Sequence, residues 1–253
     1  MPFPLAHPAA VLPLRRYCPK YLSFPALVVG SICPDAGYCF GRFNASGFSH
    51  QWLGSFGFCL PVGLIMLLFA YGVILPAIER MPERFHKVVA LLPVKPLGPA
   101  LIVIFSLLVG IWTHLLWDSF THTNGWFAQH LPILNTPLAS LAGRHITICH
   151  FLWYGSSFGG LILLFLAYDR WQQIIYGAPA TGVRANWRGA IIVALLVVPI
   201  ELLHHLVHGA AGAFLVAIST LALGIGVTLR IVPTGRERRT PASSGLPLSK
   251  PTA

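Results

Sequence analysis

Residues 99–126 read PALIVIFSLLVGIWTHLLWDSFTHTNGW. Pro99–Trp117 holds no Asp, Glu, Lys or Arg, and about 20 residues of apolar helix cross a bilayer core. His114, Asp118 and His122 then follow at intervals of four. If the helix persists, they share one stripe, since residues four apart differ by about 40° around its axis. Ionisable groups in a span are costly, face the bundle interior and mark function by default.

The rest of the chain agrees with a membrane location. Of its 253 residues 55% are hydrophobic and 9% charged, with mean hydropathy +0.71, where soluble domains carry about 25% charge. The expected fold is all-α: a polytopic helical membrane protein with spans at Trp52–Pro76, Pro99–Trp117, Phe151–Tyr168, Trp187–Leu206 and Gly212–Ile231. Helices are required because open strands cannot satisfy their backbone in lipid. Trp and Tyr recur at the span ends, as interfacial anchors do. Tyr21–Cys33 is too short to span comfortably and reads as a re-entrant or interfacial helix ending at Pro34. Residues 1–232 form one membrane domain, and the basic, Pro- and Ser-rich tail 233–253 is expected to be disordered. No internal repeat is evident.

A net charge of +10 raises the question of nucleic acid, but no stripe of Lys or Arg with interleaved aromatics lies outside the apolar runs. In a membrane protein such charge sets topology and meets anionic lipid head groups. Five spans put 77–98, 169–186 and the tail on the strongly basic side, with Arg80, Arg84, Lys87, Lys95, Arg170, Arg184 and Arg236 among others. That side is therefore cytoplasmic and the N-terminal region lies outside, with Arg15, Arg16 and Lys20 opposing the assignment. The stretch ERMPERFHKVV, 79–89, suits a basic amphipathic helix on the cytoplasmic leaflet. The five cysteines contain no C-x-x-C pair and read as scattered small hydrophobes. Gly155, Gly159 and Gly160, with Ser156 and Ser157, read as a close-packing helix face.

The histidines choose a side. Of eleven, only His86 falls on the cytoplasmic side. His7, His50, His122, His130, His145 and His150 lie opposite, while His114, His204, His205 and His208 sit on helix ends approaching that face. Asp35, Asp118 and Glu201 join them. Taken singly, His130, His145 and His150 suit hydrogen-bonded helix-end residues. His7, Asp35, His50, His114, Asp118 and His122 together suit a metal site. Neutral imidazole and carboxylate ligate zinc at about 2.0–2.2 Å, and bound metal generates hydroxide near neutral pH. Manganese and iron fit the same donors. Glu201, His204, His205 and His208 repeat the helical spacing; they could complete the site, move protons or line a wet cavity.

The stretches MPFPLAHPAAVLPLRR, ALVVGSICPD, FSH at 48–50 and THLLWDSFTH-x-x-GWF-x-QHLP resemble a bacterial family of membrane proteins of unknown function, in order through residues 1–168. That family is similar to the LexA-regulated, inner-membrane metal-dependent hydrolases, and more distantly to the zinc phospholipase C and nuclease P group. The resemblance implies metal-ligand roles for His7, Asp35, His50, His114 and Asp118, with His122 an addition. It also implies hydrolysis of a phosphoester, a divalent ion, zinc first, and a place in the bacterial inner membrane. Two departures argue against a full three-metal site: Gly37 stands where relatives place a second acid, and Tyr154 where the distant group has Glu.

The expectation is a hydrolase in which Asp118 or Glu201 orients the attacking water. Its interfacial location suits a lipid or lipid-linked substrate. Its rivals are a transporter or proton relay using the same cluster, haem held by His114 with His204 or His205, and a polar rivet between helices.

Overall fold

Proline and glycine decide where this chain turns and where its helices touch. The computed structural model describes residues 4–39, 47–80, 97–141 and 144–176. The N-terminal segment runs through tight turns Pro4–Ala6 and Leu12–Tyr17 around the short helix α1, Pro8–Val11. Helix α2, Phe24–Ile32, follows. Pro34 has no N–H for the Gly30 carbonyl four residues back. The chain tightens there into a 3-10 turn, Cys33–Asp35, and the Cys33 thiol donates to that carbonyl instead (3.4 Å). A further helical turn, Ala36–Cys39, comes next.

Three helical stretches are long and apolar enough to cross a membrane: Trp52–Ala77 (α3), Ala100–His130 and Ile148–Trp171. The first three expected spans are therefore present, in a helical membrane protein. Trp187–Leu206, Gly212–Ile231, the 233–253 tail and most of the 79–89 stretch lie outside the described residues. Helix α4, Ala100–Thr121, runs a turn beyond the expected end at Trp117. After residues 122–125 comes α5, Trp126–His130, and then the long helix α6, Ile148–Tyr176. Between them lies an unforeseen antiparallel hairpin, β1 (Pro137–Leu141) and β2 (Arg144–Thr147).

Helix α2, too short to span by itself, packs against α4. A Cβ on Gly30 would lie 3.1 Å from the Gly110 Cα and run into the Leu107 carbonyl. One on Gly110 would strike the Leu27 carbonyl and lie 2.9 Å from the Ser31 nitrogen. Paired small residues let the backbones touch, as in other helix pairs within membranes. Ala26, Leu67, Val103 and Leu107 make one buried cluster here, and Cys33, Cys59 and Ile111 another just beneath the polar site. Those two cysteines are thus core neighbours rather than scattered.

Only part of the glycine face on α6 packs as expected. Gly160 meets Ala6, whose Cβ lies 3.0 Å from where a Gly160 Cβ would stand, but a Cβ on Gly155 or Gly159 meets nothing within 4 Å among the described residues.

Candidate metal centre

Four segments deliver side chains to one point. Asp35 comes from the 3-10 turn that Pro34 forces, and His50 from the turn before α3. His114 and Asp118 lie one turn apart on α4. His7 is brought in by the N-terminal turns and stacks on His114, ring centroids 3.8 Å apart. Trp52 stacks on Trp112 (5.1 Å, 12°) and holds the His50 turn against α4.

Asp35, His50, His114 and Asp118 each offer a ligand atom, and these atoms lie within 4.8 Å of one another. His50 Nε2 is 3.3 Å from both Asp35 Oδ1 and Asp118 Oδ2. His114 Nε2 is 3.5 Å from Asp35 Oδ1 and 3.3 Å from Asp118 Oδ2. The two Nε2 atoms are 3.3 Å apart. A tetrahedral ion with bonds of about 2.0–2.2 Å requires ligand separations of about 3.3–3.6 Å. Five of the six separations match that shell, and the Asp35–Asp118 pair lies within 4.8 Å.

The ring orientations match it too. His114 Nδ1 lies 2.8 Å from the Ser31 carbonyl, which can only accept, so that nitrogen carries the proton. Ser49 Oγ donates to the Pro34 carbonyl (2.7 Å) and accepts from His50 Nδ1 (3.1 Å). Both rings therefore direct Nε2 inward, the arrangement by which outer partners fix metal-binding histidines. Asp35 and His114 are fully buried and Asp118 nearly so, while the His50 side chain keeps 21% exposure. No oxygen of either carboxylate makes a well-aligned hydrogen bond. Two buried carboxylates are costly unless compensated, and one divalent cation would balance both charges. The group could hold a metal ion.

The carboxylates have a second side. His7 Nε2, buried and without a hydrogen-bond partner, lies 3.9 Å from Asp35 Oδ2 and 3.7 Å from Asp118 Oδ1. His7 is therefore beside the tetrahedral group and not in it. His122 is at the rim. The helix ends at Thr121, so the expected stripe breaks before His122, whose backbone is extended. Its Nδ1 still returns to the Asp118 carbonyl (3.1 Å) and lies 3.8 Å from Asp118 Oδ1. Glu201, His204, His205 and His208 lie outside the described residues. His130, His145 and His150 are elsewhere, bonded locally to the Trp126 carbonyl, Ser140 and Thr147. Both His114 ring nitrogens are enclosed at 2.8–3.5 Å, and the histidines proposed to face it across a haem, His204 or His205, lie outside the described residues.

Electrostatics separate His7 from His50. Burial, reinforced by His114, pushes His7 down to about 3 and keeps it neutral. Burial alone would lower His50 also, but the Asp118 and Asp35 carboxylates outweigh it and raise it to about 9. Asp35 is buried, which opposes its charge, yet the His114 and His50 imidazoles hold it below the usual carboxylate range. Without a cation, a proton therefore stands at His50 in its place.

Sequence reasoning found His7, Asp35, His50, His114 and Asp118 but missed Ser49 and the Ser31 carbonyl. Ser49 adjoins its histidine in FSH, so its signal was in plain view. The Ser31 contact depends on how α2 crosses α4.

Fold and site define a helical membrane protein with a buried His/Asp group able to hold a metal ion. The chain belongs to the family described as a domain of unknown function, DUF4184, whose model matches residues 1–233. No curated protein and no solved structure matches it.

Proposed function

We propose that the protein is a metal-dependent hydrolase of the bacterial inner membrane, that it cleaves phosphoesters, and that zinc is its ion. The observation that carries this reading is the Asp35/His50/His114/Asp118 tetrahedron with both imidazoles turned inward. The sequence resemblance to metal-dependent hydrolases supports it with the same residues in the same order. An ion held there, taking a water as a fifth ligand or in place of one carboxylate, would lower that water's pKa to about 7 and supply hydroxide at neutral pH.

The chain's own groups divide the remaining work. Asp118 turns Oδ2 toward His50 and His114 and Oδ1 toward His7 and His122. One oxygen can therefore bind the cation while the other accepts a proton from the attacking water. His7 Nε2, Asp35 Oδ2 and Asp118 Oδ1 offer ligands for a second ion on the far side of the same carboxylates. His122, at the rim, commits Nδ1 to the Asp118 carbonyl, which leaves Nε2 as a proton acceptor. Glu201 keeps its sequence-based role as a further proton acceptor. The positive-inside pattern supports a cytoplasmic C-terminus and an external site.

The test is hydrolysis of para-nitrophenyl phosphate and its bis-ester by full-length protein in detergent. Activity should vanish on chelation, return with zinc, and be lost in Asp118→Asn. Failure of the untreated, zinc-supplied protein to cleave either ester would contradict the reading and favour a non-enzymatic relay or carrier.

A further inference from the structure

A cavity of about 320 Å³ opens between α1, the last turns of α4 and the first half of α6. That is within the range of small-ligand sites, about 300–1,000 Å³. Its walls are Ala6, Ala9, Trp117, Gly159 and Leu163 among other small or apolar groups, and His7 is the only ionisable wall among the described residues. Ser156 also lines it, but its hydroxyl turns back onto the Trp153 carbonyl (3.0 Å). Polar ligands would find nothing along these walls until they reached His7.

Where the cavity opens decides what enters. Trp117 and Leu163 are 44% and 55% exposed, on stretches long and apolar enough to cross a membrane. The surface around the mouth would be bathed in hydrocarbon. At the inner end His7 lies 3.7 Å from Asp118 Oδ1, beside the tetrahedral group. The cavity thus joins the lipid-facing surface to the Asp/His centre, and apolar cavities of this kind take up apolar ligands.

We infer that this cavity receives one hydrocarbon chain of a phosphorylated membrane lipid, with the headgroup at the His7 edge of the centre. The headgroup assignment rests on the hydrolase reading; the hydrocarbon site does not. Gly159 is the natural probe, because a Cβ there meets nothing within 4 Å among the described residues, and a leucine would extend into the void. Gly155 has equally open surroundings on the same helix but does not line the cavity.

The experiment uses full-length protein in lipid nanodiscs carrying a trace of phosphatidic acid with a photoreactive diazirine on one acyl chain. After irradiation, labelled peptides are mapped by mass spectrometry. Wild type and Gly155→Leu should be labelled on α1 and around residue 159. In Gly159→Leu that label should fall by about tenfold or more, the loss expected when two buried methylenes are excluded. Leu163→Trp, which narrows the mouth from an already exposed position, should reduce it as well. Undiminished labelling of α1 in both variants would overturn the inference, as would wild-type label spread evenly over all lipid-facing helices. Hydrolysis of the same lipid by wild type is read separately. Its absence beside an intact labelling pattern would sink the headgroup assignment and leave the hydrocarbon site standing.

Discussion

His50 Nε2 and His114 Nε2 lie 3.3 Å apart, while each ring commits Nδ1 to an oxygen, Ser49 Oγ and the Ser31 carbonyl respectively. Two lone pairs so placed repel unless a cation or a proton stands between them. Two carboxylate oxygens complete the same small volume. A simple His–Asp ion pair does not need this convergence; a coordination shell does.

Ser49 is predicted to matter through His50. Ser49→Ala removes the acceptor that orients the ring, and metal affinity should fall about 10–100-fold, as for other outer partners of ligating histidines. Ser55, also buried but without a hydrogen-bond partner, is the control. Competition with a chelating dye on both variants gives the two constants, and equal constants would dismiss the orienting role.

Metal binding is predicted to release protons. With His50 raised to about 9 in the metal-free protein, a cation arriving at pH 7 displaces at least one proton. His7, pushed down to about 3, adds nothing to the slope. Affinity should rise about tenfold per pH unit, or more steeply, from 7 toward 9 and then flatten. For the metal-free protein the sign is opposite: the raised His50 contributes stability fully present below 6.5 and lost as pH rises through about 9. Calorimetric titration in buffers of different ionisation enthalpy counts the protons, and zero release would contradict this picture.

The contact between α2 and α4 should be intolerant of a methyl group. Gly110→Ala places Cβ against the Leu27 carbonyl and the Ser31 nitrogen. Overpacking of this kind costs about 1–3 kcal/mol, and it shifts the Ser31 carbonyl that orients His114. Gly155→Ala, facing open space, should be close to neutral. Thermal unfolding in detergent compares them, and metal content should fall only in Gly110→Ala.

Much of this was legible in the sequence, for identifiable reasons. Long apolar runs carry their own signal, so three spans emerged where expected. His114 and Asp118 could be paired because helical spacing is local. His7 could be selected but not placed: nothing in HPAAVLPL says that it would stack on His114 outside the tetrahedral group. His122 reaches the edge of the site by a different route from the expected stripe, since the helix ends at Thr121. The role of α2 was hidden because a nine-residue apolar helix looks alike at an interface and in a core. Gly30 and Gly110, far apart in the chain, let α2 close on α4.

The most direct test of the central claim is the metal content of full-length, detergent-purified protein, measured without chelators beside the His114→Ala/Asp118→Asn variant. The account predicts at least one tightly held zinc or similar divalent ion per wild-type chain, and its loss from a variant that still folds. A folded wild type that remains metal-free when offered zinc would contradict it.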